Sequence, residues 1–266
     1  MFQACWLALC SVYSQEQLYA LAFIAHLTTY WCVGGLLLMV DITRPKWATR
    51  FRCQPDKYPS RETICKVVRN VISNQLTTHV MTFIIMYPVA IKRLSFSEEL
   101  PGPRIFIGHL LAFAIITEFM FFWSHRTLHS PFLYREIHKV HHEVKAPFGL
   151  CAIYFHPLEH VLAALQGALP ALICGSHASV LIFWIFIATF NIILHHSGYD
   201  FEPYWPDSIK PFKSMTQQHD YHHFATHTCF GVIGLADWIH GTDYGFGKHY
   251  LEWGRSRSKL DTHQGQ

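Results

Sequence analysis

Apolar residues in this chain fall in long blocks, not at the alternating or 3.6-residue spacing of a water-soluble domain. Leu18 to Val40 contains no Asp, Glu, Lys or Arg, and neither does Val71 to Ile91. About 20 such residues let a helix cross a bilayer, so each block predicts a span. Ile105 to Trp123 predicts a third, with the single carboxyl of Glu118 inside it. Leu150 to Cys174 is apolar but interrupted by His156, Pro157, Glu159, His160, Gln166 and Pro170, whereas Ala178 to Leu194 is apolar throughout and short. The last two blocks read as arms of a hairpin that enters and leaves the membrane on one side, with Gly175-Ser176-His177 at the tip. The pattern leaves open whether the hairpin crosses fully. The fold class is therefore all-α, an integral membrane helical protein with about four to five membrane-embedded helices.

Polar residues divide the chain further. Residues 1–104 read as a membrane anchor with two spans and a basic linker, 105–250 as a second unit, and 251–266 as a loose polar tail. The linker holds Arg44, Lys46, Arg50, Arg52, Lys57, Arg61, Lys66 and Arg69, which places it in the cytosol by the positive-inside rule. The chain then leaves through Val71 to Ile91, turns at Ser95 to Arg104, and returns through Ile105 to Trp123. A net charge of +3, unevenly placed, gives no argument for nucleic acid. The eight cysteines lack C-x-x-C spacing and read as reduced packing residues. The first fourteen residues have no basic lead or small-residue cleavage pattern, so the first span reads as an uncleaved anchor.

Twenty histidines in 266 residues change the picture. His125 and His129 are four apart, and His138, His141 and His142 repeat the i, i+3, i+4 spacing that gathers rings on one helix face. Pro131 lies between these groups and breaks the helix, so that they can turn towards each other. His219, His222 and His223 repeat the pattern almost eighty residues later. Imidazole nitrogen suits iron, zinc, copper or nickel, whereas Ca and Mg need oxygen ligands that are scarce here. Eight such histidines exceed one ion, so the reading is two ions with four or five nitrogens each. His196, at the end of the returning block, is added as a ligand candidate.

Other polar groups are weighed as supports for these rings. Glu118 lies seven residues before His125 on the same helix face and is a candidate to accept a hydrogen bond from a ligand imidazole, or else a solvated or protonated carboxyl near the interface. His156 and His160 fit structural or ring-orienting roles at least as well as ligation, with Glu159 holding one ring. His195 points about a hundred degrees away from His196 on a helix. Asp220 can orient a neighbouring imidazole or sit at the surface. His177, at the hairpin tip, falls on the far side. His26 and His79 read as ordinary hydrogen-bonded helix residues, and His227, His240, His249 and His263 do not repeat the grouping.

The order H-x3-H (His125, His129), H-x2-H-H (His138 to His142), H-P-x-E (His156 to Glu159), H-S-G-Y-D (His196 to Asp200) and H-D-Y-H-H (His219 to His223) resembles the fatty acid hydroxylase / sterol desaturase superfamily. The likeness covers roughly residues 105 to 247 and is strongest to the branch of C4-methylsterol oxidases and fatty acid hydroxylase domain-containing protein 2. It implies an endoplasmic-reticulum enzyme with a non-haem di-iron centre in a cytosolic catalytic cap, using O2 and electrons from NAD(P)H relayed by cytochrome b5 and its reductase. The implied substrate is a membrane lipid, first the C4-methyl group of a sterol, with a fatty-acyl or sphingoid chain as the alternative and desaturation in place of hydroxylation left open. Two departures bear on substrate preference: Cys229-Phe230-Gly231 where the family usually has Asn before the aromatic and Gly, and Asp237-Trp238 where Trp-Asp is usual. A histidine-rich zinc transporter or sensor is the competing class, and it would place its ligands near the membrane midplane.

Overall fold

The computed structural model describes residues 1–201 and 214–249, and within them the chain forms helices and no strand. The expected tail 251–266 lies outside the described residues. Helix α1 (Phe2–Val12) precedes α2 (Gln15–Thr43), which starts at a reciprocal Ser14–Gln17 cap and ends where Arg44 turns left-handed. The block Val71 to Ile91 is helical but divided into α3 (Arg61–Asn74), a π turn at Gln75–His79 and α4 (Val80–Arg93). Helix α5 (Pro103–Leu128) follows, with proline at its first position, where no backbone N–H is needed. The hairpin is α6 (Pro157–Cys174) and α7 (Ala178–His195), and α8 (Met215–Ala225) carries the last histidine group.

Helices α2, α5, α6 and α7 are each long and apolar enough to cross a membrane. Their outward faces agree with that, since Ile24, Leu36, Ile107, Leu111 and Ile115 are exposed apolar side chains. The hairpin turns at Gly175, whose φ of +60° favours glycine, and its tip is fixed to the Ser95 loop. Ser95 N–H donates to Ser176 O, Ala178 N–H donates to Ser95 O, and His177 Nε2 lies 3.0 Å from Ser97 O. The tip is thereby held to the loop that precedes α5, and His177 lies at the end opposite His129 and His196, as expected.

At the histidine end, α2 packs along α7 and receives the short 3₁₀ segment Gly149–Ile153. Gly34 permits this approach, because a β-carbon there would lie 2.5 Å from Leu150 Cδ2. Tyr30, Val67, Val71, Phe148, Leu150, Cys151 and Ile193 form the buried core that results. Arg52 of the basic linker turns inward. Its side chain is buried, 3.0 Å from Asp41 Oδ1, and also donates to Ser197 O, while Tyr199 OH donates to Asp41. No disulfide is formed among the described residues.

Candidate metal centre

The histidines reach one place from four elements. His125 is in the last turn of α5 and His129 caps that helix; Ser130-Pro131 then starts the short helix Pro131–Glu136, so the break falls at the proline. His138, His141 and His142 lie on a 3₁₀ turn, His138–Glu143, not on the α-helix that their spacing suggests. His196 caps α7, and His219, His222 and His223 lie on α8. The nine rings sort into two groups, His125, His129, His138, His142 and His222 in one and His141, His196, His219 and His223 in the other. Within each group one nitrogen per ring lies within 4.8 Å of all the rest. The expectation that His138, His141 and His142 share one face is corrected: the tighter turn sends His141 to the second group. Helix α8 divides in the same way, with His219 and His223 on one face and His222 a hundred degrees away.

In four of the nine rings, hydrogen bonds fix which nitrogen is free. His125 Nδ1 lies 2.8 Å from Phe230 O, His222 Nδ1 2.7 Å from Thr228 O, and His196 Nδ1 2.8 Å from Ile192 O. His138 Nδ1 lies 2.7 Å from Glu159 Oε1. These oxygens accept, so each Nδ1 carries the proton and each Nε2 presents a lone pair. The lone pairs face one another: His125 Nε2 is 3.1 Å from His138 Nε2, which is 3.0 Å from His142 Nε2. In the second group His196 Nε2 is 3.2 Å from His141 Nε2 and 2.8 Å from His219 Nε2. Two lone pairs at 3.1 Å repel unless a cation sits between them, so this donor set fits metal ions. Burial and neighbouring imidazoles push the pKa values of His138, His141, His142, His219, His222 and His223 far below the usual range, and burial brings His196 down to about 3. The rings are neutral at pH 7, as ligation requires.

The supporting groups differ from expectation in detail. Glu118 does not reach an imidazole. Seven residues of helix separate it from His125 by about 10 Å, beyond a direct contact. Instead its carboxylate accepts the N–H groups of Val232, Ile233 and Ala236, each at 2.8 Å. Asp237 accepts those of Phe230 and Gly231. Together the two acids fold the loop that presents Phe230 O to His125. Gly231 is required between them, since a β-carbon would lie 2.6 Å from Glu118 Oε1 and 2.9 Å from Asp237 Oδ2. Glu159 holds His138, a partner that the sequence did not suggest. His156 stands outside both groups and caps α6, accepting from Leu158 N–H. Asp220 accepts from Gln54 Nε2 and holds no ring, and burial pushes its pKa up to about 7. His160 pairs with Thr78, and His195 faces a cavity beside the centre.

This arrangement can be set beside known proteins. The fatty acid hydroxylase family profile matches residues 110–242. The chain belongs to the fatty acid hydroxylase family. It is 35% identical over 219 residues to human (Homo sapiens) "Fatty acid hydroxylase domain-containing protein 2", covering 80% of this chain and 63% of that protein. It is 28% identical over 246 residues to "Very-long-chain aldehyde decarbonylase GL1-11" of Oryza sativa subsp. japonica, covering 90% of each. It is also 28% identical to "Methylsterol monooxygenase 2-1" of Arabidopsis thaliana, over 91% of this chain and 94% of that protein. No solved structure matches the chain. The matched residues include all nine rings together with Glu118, Glu159 and Asp237.

Beside the second group lies a cavity of about 460 Å³. His196 and His219 form part of its wall, and α2, α5, α6 and α7 supply an apolar remainder that includes Phe23, Leu110, Leu181 and Trp184. Among the described residues no Asp, Glu, Lys or Arg lines it.

Proposed function

We propose that this protein is a membrane-bound non-haem di-iron oxygenase that hydroxylates an unactivated C–H bond of a lipid. The observation that carries the reading is the pair of inward-facing imidazole groups, the second of which borders a largely apolar cavity of a size suited to a small lipid. Two irons, one in each group, would supply O2 reduction and C–H oxidation, chemistry that zinc cannot supply. His125, His129, His138, His142 and His222 would hold one ion and His141, His196, His219 and His223 the other. The chain's own part is to fix these rings through Phe230 O, Thr228 O, Ile192 O and Glu159, and to keep water from the reacting carbon with the apolar wall. The groups sit at the ends of α5 and α7, not at mid-helix, which favours an oxygenase over a zinc transporter.

The C4-methyl group of a sterol is the first choice of target, supported by the likeness to a methylsterol monooxygenase along nearly the whole chain. The site would face the cytosol from the endoplasmic-reticulum membrane and take electrons from NAD(P)H through cytochrome b5 and its reductase. Purified protein is expected to hold about two irons per chain, with His138→Ala or His222→Ala losing both metal and turnover; full activity in either variant refutes the assignment. Expression in cells that lack C4-methylsterol oxidase should clear accumulated 4-methyl sterols. Unchanged sterols together with altered hydroxylated fatty acids would move the substrate to an acyl chain.

A further inference from the structure

The largely apolar cavity wall carries several polar groups, and one cluster of them, away from the metal-facing rings, is made by His26 of α2, the π-turn residue His79, His160 of α6 and Thr189 of α7. The His26 and His79 ring centroids are 4.6 Å apart and those of His79 and His160 are 5.6 Å apart. None of these residues belongs to the two metal-facing groups. A buried polar group costs free energy unless it is satisfied, so four in an apolar pocket call for a reason.

Their proton directions can be followed. Trp31 Nε1–H donates to Gln75 Oε1 at 2.9 Å, which turns the Gln75 amide nitrogen towards His26 Nε2, 3.4 Å away. His26 Nε2 therefore accepts, its Nδ1 carries the proton, and that proton goes to Thr189 Oγ1 at 3.1 Å. The Thr189 hydroxyl proton is left to point into the cavity. On the other side Thr78 Oγ1 donates to Asn74 O at 3.0 Å, so the 2.9 Å contact to His160 is a bond from His160 Nδ1–H to Thr78. His160 Nε2 is left with a lone pair. His79 Nδ1 is buried without a partner among the described residues. The π turn brings Gln75 and His79 together here, an irregularity of the kind that recurs at functional sites.

We infer that His26, His79, His160 and Thr189 form a binding shelf for a neutral hydroxyl group of the lipid substrate, within two helical turns of the metal centre. The shelf offers one donor, Thr189 O–H, and one acceptor, His160 Nε2, which together match a hydroxyl that both gives and takes a hydrogen bond. Thr189 lies seven residues before His196 on α7, on the same face and about 10 Å along the axis. Among the described residues the wall offers no Lys or Arg to pair with a carboxylate or phosphate, so a neutral hydroxyl is the better match to the shelf. The substrate class is thus a lipid alcohol oxidised near its hydroxyl, not a fatty acid or an acyl thioester oxidised far from an anionic head. This inference rests on the oxygenase reading for what becomes of the lipid, but binding can be measured apart from turnover.

The test incubates the purified full chain in detergent with matched probes and measures the lipid retained by mass spectrometry. The probes are a 4-methylsterol and its 3-deoxy analogue, and a long-chain primary alcohol with the alkane and the carboxylic acid of equal length. At least one alcohol should be retained about tenfold better than its deoxygenated partner, as one hydrogen-bonded hydroxyl supplies. Thr189→Val should abolish that preference and Thr189→Ser should keep it. If no alcohol is preferred over its partner, if the acid is retained as well as the alcohol, or if Thr189→Val keeps the preference, the shelf is not a hydroxyl site. An alcohol preference in protein that holds iron but oxidises no lipid defeats the oxygenase reading and leaves the shelf standing.

Discussion

Glu159 shows what one side chain does at this centre. Its carboxylate, buried with the ring it holds, keeps the proton on His138 Nδ1 and so keeps Nε2 free. Glu159→Gln preserves the shape but can donate where an acceptor is needed, which allows the wrong His138 tautomer. Iron affinity should fall 10- to 100-fold, as when other groups behind a metal-bound histidine are removed; iron content after dialysis against a graded chelator measures it. Wild-type retention in that variant would show that the ring is held by packing alone. The H-P-x-E spacing made Glu159 legible as a ring-holding acid, but not its partner, because His138 lies 21 residues away on another element. Glu118 was legible as a group needing a partner, yet its partners are backbone N–H groups of a loop, which leave no side-chain signal. His26 and His79 looked like ordinary helix residues for a similar reason: what sets them apart is the cavity between four helices.

Short connecting elements, more than the long helices, set the geometry. The 3₁₀ turn His138–Glu143 feeds both histidine groups, and the segment after α7 is clamped by the linker after α2. Gly198 there has φ of +71°, and a β-carbon would lie 2.7 Å from Pro147 O and 2.8 Å from Arg52 Nη1. The buried Arg52–Asp41 pair holds that segment one residue beyond the His196–Ser197 junction. Arg52→Met leaves the Asp41 carboxylate buried without its cation, with the Tyr199 hydroxyl still donating to it, and should cost about 3–5 kcal/mol of stability. Thermal unfolding in detergent reads the loss, and the double variant Arg52→Met/Asp41→Asn should recover part of it. A single variant as stable as the wild type would show that water replaces the guanidinium.

Over the whole molecule, the helices carry neutral rings to one end and hold them in a place that disfavours protons. The sign of the pH dependence follows. Histidine in an unfolded chain titrates near 6.5, whereas the folded rings stay neutral well below that, so the unfolded state binds more protons as pH falls. Stability is fully present above about 6.5 and is lost progressively below it, and bound metal should leave over the same range. A titration of iron content and melting temperature from neutral pH downward should show both falling together. Flat curves through that range would mean that the rings are already protonated or ligated otherwise.

The sequence by itself determined an all-helical membrane protein, the hairpin with its tip at Gly175, and a pooled set of nine histidines able to hold metal, because apolar block length and helical ring spacing are local properties. Tertiary structure alone decided how those rings divide into five and four, which acid holds which group, and that His26, His79, His160 and Thr189 share one cavity. These are contacts between residues up to 163 positions apart, and no local period along the chain encodes them.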